Sequence, residues 1–262
     1  MKVSIIMPAY NEEKRIGRTL EEYISFFRKL KEEGITDFEI VAVLNACRDN
    51  TRGVVKNFSR KYREIRYLDF ERGGKGFAIT EGFRDALKRG SELIGFVDAD
   101  MATPPGAFYD LIGNISGYNG VIANRWDKRS RIETKQPLLR RIMSRGYNFI
   151  VRSLFLLPHR DTQCGAKVFR RELIEKILPK LGSSEWGYDV DLLFYARKEG
   201  ARIKSIPTIW NDQKGSKIDV KKTPLKMFLS AVRLRLLHSP FRFIVRVYRK
   251  LNISKKIYDS LK

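Results

Sequence analysis

Short apolar runs alternate with segments of helical periodicity up to residue 97, and this alternation limits the possible folds more than any other feature. Each apolar run is rich in β-forming residues, which predicts a buried strand. Strands that alternate with helices form a mostly parallel sheet with helices on its faces. The predicted strands are residues 3–7, 38–44, 65–70 and 93–97, and the predicted helices are residues 12–33, with Asn11 as N-cap, 51–62 and 77–89.

The second half of the chain is less regular. Residues 126–137 are polar and mostly basic, which predicts a mobile loop, whereas residues 138–157 have the spacing of a long amphipathic helix. The other predicted elements are a helix after Pro105, strands at 120–123 and 201–206, a loop and strand within 161–170, and helices at 172–181 and 189–199.

Two carboxylates, Asp98 and Asp100, directly follow the fourth predicted strand, and Pro104-Pro105 prevents that strand from continuing. Open α/β sheets bind ligands beyond the carboxyl ends of their strands. A close carboxylate pair repels itself unless a cation lies between, and hard oxygen ligands suit Mg²⁺ or Mn²⁺ together with diphosphate oxygens. The alternative is a solvated Asp-Ala-Asp turn.

The net charge of +22 indicates an anionic partner, such as nucleotide phosphates, acidic lipid headgroups or nucleic acid. No zinc pattern or aromatic RNA-binding motif supports nucleic acid. The cysteines and histidines are too scattered for a disulfide framework or a metal cluster. The N-terminus lacks a signal-peptide pattern, and no apolar run reaches the length of a spanning helix.

Three further loops have a functional and a structural interpretation. The Gly-Gly-Lys-Gly run at residues 73–76 is typical of a phosphate cradle, with Lys75 for charge, although it lacks the Walker spacing and also suits a surface turn. Asp49 follows the second strand, and Asp189 follows Trp186-Gly-Tyr. Each aspartate precedes a predicted helix and therefore also suits helix capping.

Together these stretches resemble the family-2 glycosyltransferases, which have the nucleotide-sugar-binding GT-A fold. The resemblance is closest to the dolichyl-phosphate β-glucosyltransferases and extends to the polyprenyl-phosphate mannosyltransferases. It covers roughly residues 1–237, and its most specific part is Asp-Thr-Gln-Cys-Gly. The stretches that carry it are Val-Ser-Ile-Ile-Met-Pro-Ala-Tyr-Asn-Glu from residue 3, Arg-Gly-Gly-Lys-Gly from 72, Asp-Ala-Asp-Met-Ala-Thr from 98, Arg125, Arg-Asp-Thr-Gln-Cys-Gly-Ala-Lys-Val-Phe from 160, Trp-Gly-Tyr-Asp-Val-Asp-Leu-Leu from 186 and Gly-Ser-Lys from 215.

The resemblance implies a role for each matched position. The implied metal ligands are Asp98 and Asp100, and the implied ligands of the acceptor phosphate are Arg125, Arg140 and Ser144. The implied catalytic residues are Asp100, Arg125 and Asp189. The implied nucleotide-sugar site consists of Pro8, Tyr10, Glu12, Asn45, Lys75, Asp98 and Asp100. Asn45 replaces an aspartate that is expected to read the base, which leaves uridine or guanosine open. Ala102 replaces the metal-assisting glutamine of the mannosyltransferases.

The implied reaction is a metal-dependent, inverting transfer of a hexose from a nucleotide sugar to dolichyl or polyprenyl phosphate, with glucose from UDP-glucose expected. Mannose from GDP-mannose and a soluble sugar acceptor are the alternatives. An acceptor phosphate is already anionic, so positioning and charge neutralisation suffice and no strong base is required.

The composition becomes strongly basic after residue 210. Leucines, Phe228 and Val232 share one helical face within residues 225–237, and a basic stripe follows Pro240. We therefore predict a catalytic domain at residues 1–210 and a basic amphipathic, membrane-associating extension at residues 211–262, with packing on the domain as the alternative. The expected location is the cytoplasmic face of the membrane, as a peripheral protein and with room for a membrane-subunit partner.

Overall fold

The computed structural model describes residues 1–134, 138–181, 187–213, 223–237 and 239, without the side chains of 138–140, 223–227 and 237. The helices are α1 Ile16–Glu32, α2 Thr51–Lys61, α3 Lys75–Lys88, α4 Pro105–Gly113, α5 Leu138–Phe155, α6 Arg171–Ile177, α7 Tyr188–Lys198 and α8 Thr223–Leu237. The strands are β1 Lys2–Ala9, β2 Asp37–Asn45, β3 Ile65–Phe70, β4 Leu93–Phe96, β5 Gly120–Asn124, β6 Arg131–Thr134, β7 Lys167–Arg170, β8 Ile203–Pro207 and β9 Ile209–Asn211.

Seven of these strands form one sheet in the order β3-β2-β1-β4-β7-β5-β8. All neighbours are parallel except β7, which runs antiparallel to both β4 and β5. The mostly parallel α/β sheet predicted from the alternation is confirmed. The strand order reverses between β1 and β4, which is where a sheet of this kind opens a crevice.

Helices cover both faces of the sheet, so each central strand is buried on both sides. Ile5 packs into the cluster that contains Leu20 of α1 and Phe108 of α4, whereas the adjacent Ile6 packs with Phe83 of α3 and Leu192 of α7. Burial on both faces explains why the strand sequences are continuously apolar rather than alternating.

The start of α1 differs from its prediction. The helix begins at Ile16 with Arg15 at the N-cap position, so the prediction of Asn11 as N-cap was wrong. Asn11 adopts a left-handed conformation with φ of 53°, and its side-chain oxygen accepts the backbone N–H of Arg48 at 2.7 Å. Asn11 therefore joins the loop after β1 to the loop after β2.

The prediction of a mobile loop at residues 126–137 was wrong for residues 131–134. Arg131–Thr134 forms β6 and pairs in parallel with β9 in a small second sheet. β6 is short and largely exposed, and β9 is three residues long with Trp210 as its one buried residue, so neither sequence carries a recognisable apolar alternation. The pairing joins segments that are far apart in the chain. Residues 135–137 lie outside the described part, as do Trp186, the Gly-Ser-Lys stretch and the basic stripe after Pro240.

Candidate active site

The loops after β1, β2, β4 and β5 meet at the carboxyl edge of the sheet and carry most of the predicted site residues. Asp98 follows β4 after Val97, whose N–H still donates to the carbonyl of Ile6 in β1 at 2.9 Å. The pairing of β1 with β4 therefore extends to the residue before Asp98. The predicted carboxylates consequently lie at the crevice where the strand order reverses.

Gly165 provides the space for the Asp98 side chain. A Cβ atom on Gly165 would lie 1.9 Å from Oδ2 of Asp98 and 2.5 Å from its Cγ, far inside van der Waals contact. The turn before β7 therefore forms a recess for the carboxylate that only glycine leaves open.

The loop at residues 98–103 is held from three sides. Thr19 of α1 donates its hydroxyl to the carbonyl of Ala99 at 2.8 Å, and Tyr23 donates to the carbonyl of Thr103 at 2.9 Å. From β9, the N–H of Asn211 donates to the carbonyl of Ala102 at 2.9 Å. These bonds fix the loop without using the side chains of its two aspartates.

The Asp100 carboxylate lies in an electrostatically unfavourable position. Its Oδ1 accepts the N–H of Ala102 at 3.0 Å, and its Oδ2 is 4.0 Å from Nη1 of Arg15. Burial and the charge of Asp98 together raise the pKa of Asp100 to about 6. A paired set of hard oxygen donors beside a carboxylate recess fits a divalent cation. No group of three or more metal-ligating side chains occurs among the described residues.

Lys75 is the first residue of α3, and its ammonium group forms an ion pair with Oδ1 of Asp98. Burial alone would lower the pKa of Lys75, but the charges of Asp98, Asp189 and Asp100 outweigh burial and raise it above its usual range. Lys75 is therefore positively charged at the edge of the crevice.

Asn45 joins the Lys75 loop to the sheet. Its amide nitrogen donates to the carbonyl of Ala9 at 2.8 Å, and its oxygen accepts the N–H of Gly74 at 3.1 Å. Gly74 has a φ of 120°, a conformation that favours glycine. Asn45 is only 3% exposed, so both of its polar atoms are committed within the protein; its base-reading role stays a prediction.

The remaining predicted nucleotide residues lie at the end of β1. Tyr10 is 45% exposed, and Pro8 is half-buried. Glu12 is clamped by Arg15, whose Nε and Nη2 each donate to its carboxylate at 2.6 Å. The Glu12–Arg15 pair connects this side of the crevice to Asp100.

Arg125 follows β5 and forms a bidentate pair with the fully buried Asp161. Its Nε donates to Oδ2 at 2.7 Å, its Nη2 donates to Oδ1 at 2.9 Å, and its backbone N–H donates to Oδ2 at 3.0 Å. The Trp210 ring lies 5.3 Å from the guanidinium carbon. Burial alone would raise the pKa of Asp161, but the charge and hydrogen bonds of Arg125 lower it. The guanidinium is thus fixed in one orientation.

Asp189, in the first turn of α7, pairs with Lys167 of β7. Lys167 is fully buried, and its ammonium also donates to the carbonyl of Cys164 at 2.8 Å. The ammonium groups of Lys167 and Lys75 lie 5.1 and 6.0 Å from the centroid of the same Phe96 ring, so Asp189 and Asp98 are paired with neighbouring cations.

A cavity of about 240 Å³ lies beside Arg125, under the small sheet and against α5. Ser144 lines it, as predicted for the acceptor-phosphate group, whereas the side chain of Arg140 lies outside the described part. Three arginines, two tryptophans and only one acidic residue make this cavity cationic and partly aromatic. The lining residues are Arg125, Trp126, Asp127, Ile132, Arg141, Ser144, Arg145 and Trp210.

Comparison with known proteins gives one family. The model of "Glycosyl transferase family 2" matches residues 4–178. A dolichyl-phosphate beta-glucosyltransferase of Dictyostelium discoideum is 30% identical over 257 residues, covering 94% of this chain and 76% of that protein. This chain belongs to glycosyl transferase family 2.

Other relatives support the family and its fold. The dolichyl-phosphate beta-glucosyltransferase of Homo sapiens is 29% identical over 267 residues, covering 96% of this chain and 80% of that protein. The glucosyl-3-phosphoglycerate synthase of Mycobacterium tuberculosis, solved with UDP, has a TM-score of 0.65 at 17% identity and covers 90% of this chain and 79% of its own. The GT-A fold implied by the sequence is confirmed.

Three residues of this family 2 glycosyltransferase had no assigned role in the sequence analysis: Asp161, Gly165 and Lys167. All three lie in the Asp-Thr-Gln-Cys-Gly-Ala-Lys run that carried the most specific part of the resemblance. That specificity was the available signal. Their partners, which are Arg125, Asp98 and Asp189, were each predicted, but the pairings were not.

Proposed function

We propose that this glycosyltransferase transfers glucose from UDP-glucose to dolichyl or another polyprenyl phosphate, with inversion at the anomeric carbon. The observation that carries the proposal is that Arg125, whose guanidinium is held by Asp161, lines the cationic cavity against α5. The family match and the names of the relatives support the donor and acceptor.

Asp98 and Asp100 would hold the divalent ion, which neutralises charge on the diphosphate when bound. Solved structures of the M. tuberculosis enzyme contain Mn²⁺ and UDP, which supports a divalent ion without distinguishing Mg²⁺ from Mn²⁺. Lys75 supplies a second positive charge on the same side. The crevice is thereby suited to a leaving nucleoside diphosphate.

The acceptor phosphate would occupy the cationic cavity. Arg125 is held rigid by Asp161, so its remaining N–H groups are presented without reorganisation. Arg141, Ser144 and Arg145 add charge and a hydroxyl from α5. A phosphate oxygen held there is already a nucleophile, so these residues position it for in-line attack and need not remove a proton.

A lipid acceptor requires the enzyme to reach a membrane surface, and α5 supports this. Phe149 of α5 and Leu156 just beyond it are each 69% exposed, and Ile142 is 59% exposed. The adjacent α8 exposes Phe228 and Leu229 at 38% and 41%. No helix of the described part is both long and apolar enough to span a bilayer. We therefore propose surface attachment through this face; the membrane subunit and the cytoplasmic side stay predictions.

A donor screen tests the reaction. Purified protein with dolichyl phosphate and Mn²⁺ or Mg²⁺ is offered radiolabelled UDP-glucose or GDP-mannose, and lipid-extractable label is counted. Label from UDP-glucose that is lost in Asp98→Asn supports the proposal. Label from GDP-mannose instead would show that the donor is GDP-mannose and not UDP-glucose. Label found only on a water-soluble acceptor would contradict the proposed lipid acceptor.

Vesicle sedimentation tests the membrane face. Phe149→Ser and Leu156→Ser should each reduce binding to vesicles that contain anionic lipid, because each removes an exposed apolar side chain next to arginines. Ile35→Ser is the matched control, since Ile35 is 48% exposed but lies in the turn between α1 and β2. Equal binding by all variants would contradict surface attachment through α5.

A further inference from the structure

Two lysine ammonium groups lie near the ring of Phe96, and each pairs with a carboxylate of the crevice. Lys167 is 5.1 Å from the ring centroid and pairs with Asp189, whereas Lys75 is 6.0 Å from it and pairs with Asp98. The same arrangement of lysine, aromatic ring and aspartate is therefore present twice at this edge.

The two lysines differ in how firmly they are held. The Lys167 side chain is 0% exposed, and its ammonium has a second acceptor, the carbonyl of Cys164. The Lys75 side chain is 39% exposed, and Asp98 is its only hydrogen-bond acceptor among the described residues. Lys167 is thus fixed within the protein, whereas Lys75 can leave Asp98 for another anion at the cost of one contact.

The carboxylate that Lys75 neutralises is also the one proposed to hold the divalent ion. Asp98 lies directly against Gly165, so its carboxylate has no room to retreat from the two cations in that direction. An ammonium at contact distance offsets much of the attraction between this carboxylate and an incoming divalent ion. A diphosphate would attract the ammonium and would also supply oxygen ligands to the ion.

We propose that Lys75 is a displaceable counter-ion of the metal site, which occupies Asp98 in the free protein and moves to the donor diphosphate when metal and nucleotide bind together. This inference rests on the metal-dependent donor site of the proposed function. It makes metal binding and nucleotide binding mutually dependent, since each ligand removes an obstacle to the other. The free enzyme would then bind little divalent ion on its own.

Mn²⁺ binding measured without turnover tests the inference. Free Mn²⁺ is followed by electron paramagnetic resonance during titration of the protein, alone and with whichever of UDP and GDP binds more tightly. The variants are Lys75→Met, Lys75→Gln and Lys75→Arg. Lys56→Met, on the exposed side of α2, is the matched control for the loss of one positive charge.

Lys75→Met and Lys75→Gln should bind Mn²⁺ about tenfold more tightly than wild type when no nucleotide is present, because the competing ammonium is gone. The gain in Mn²⁺ affinity caused by nucleotide should shrink by a similar factor. Lys75→Arg and Lys56→Met should behave like wild type. Circular dichroism establishes that each variant is folded.

Unchanged or weaker Mn²⁺ binding by both Lys75→Met and Lys75→Gln in the absence of nucleotide would overturn the inference and leave the proposed function intact. A wild-type protein that binds no Mn²⁺ even with nucleotide would overturn the metal-dependent site itself, and the inference with it. The two failures are therefore distinguishable in one titration series.

Discussion

Each edge of the sheet holds a carboxylate that is at least partly buried, and the surroundings of the two differ sharply. At the amino edge, Glu39 of β2 accepts the hydroxyl of Ser4 at 2.6 Å and Nε of Arg89 at 2.7 Å, with Nζ of Lys2 at 3.6 Å. Burial alone would raise the pKa of Glu39, but these hydrogen bonds and charges lower it. At the carboxyl edge, burial and Asp98 raise the pKa of Asp100.

The comparison separates a carboxylate that the protein satisfies from one that it leaves for a ligand. Glu39 has its partners within the chain, so its charge contributes to folding. Asp100 has a second carboxylate nearby, and its 4.0 Å contact with Arg15 does not offset that repulsion and burial, because the pKa of Asp100 is still raised. An unfavourable charge in a crevice is therefore better evidence of a binding site than a buried charge alone.

The largest expected effect comes from closing the recess at the carboxyl edge. In Gly165→Ala, the new Cβ overlaps the Asp98 carboxylate, so the carboxylate has to shift. We expect kcat/KM to fall by about a hundredfold, which is typical of a displacement of this size in a catalytic group. Gly113→Ala, at the exposed end of α4 with no atom within 4 Å of the new Cβ, should retain wild-type kcat/KM. Full activity in Gly165→Ala would mean that the reaction does not depend on the position of the Asp98 carboxylate.

A smaller effect should follow from neutralising Glu39, the carboxylate whose partners lie within the chain. Glu39→Gln should lower the free energy of unfolding by about 1–3 kcal/mol, because Arg89 and Lys2 lose a buried anionic partner. Activity per folded molecule should not change. Glu22→Gln on the exposed face of α1 is the control.

The Glu39 effect has a defined pH dependence. The folded protein lowers the pKa of Glu39 below its usual 4.5, so the stabilisation is complete above that pH and is lost as the pH falls through the folded value. Urea melts from about pH 7 to pH 3 should therefore show wild type and Glu39→Gln converging in acid. A constant difference across this range would contradict the role of the charge.

The smallest expected effect has the opposite sign. Asp100→Asn should raise the free energy of unfolding by roughly 1 kcal/mol in metal-free buffer near pH 8, because it removes an unfavourable charge. The pKa of Asp100 is raised from 3.8 to about 6, so the penalty is complete above the upper value and absent below the lower one. The gain should accordingly disappear toward about pH 4 in thermal melts.

Adding Mn²⁺ with nucleotide should reverse the order of the melts, because the ligands stabilise wild type and not Asp100→Asn. If Asp100→Asn is less stable than wild type in metal-free buffer at every pH, the charge of Asp100 stabilises the fold as that of Glu39 does. The contrast between the two edges would then be wrong.

Local patterns were sufficient to predict the strands of the seven-stranded sheet, most helices and the positions of the two aspartates. A buried parallel strand is continuously apolar, and Asp98 and Asp100 come directly after one, so their position at the crevice follows from the chain itself. The boundaries of α3 and α7 agreed with the prediction to within two residues.

Pairings between distant segments were not predictable. Arg125 and Asp161 are separated by 36 positions, and nothing in either local sequence specifies the other. β6 is largely exposed and β9 has only three residues with a single buried side chain, so neither strand has an apolar pattern long enough to predict it. The direction of β7 is likewise set by its neighbours in the sheet and not by its own residues.

The reversed direction of β7 has a consequence for the whole site. Because β7 runs against β4 and β5, the chain just before it arrives at their carboxyl ends, and one short segment brings Asp161 to Arg125, Gly165 to Asp98 and Lys167 to Asp189. Side chains alternate between the two faces of a strand. A slip of β7 by a single residue would therefore turn Lys167 to the other face of the sheet, so the register of this one strand aligns the Asp98 side of the crevice with the Arg125 side.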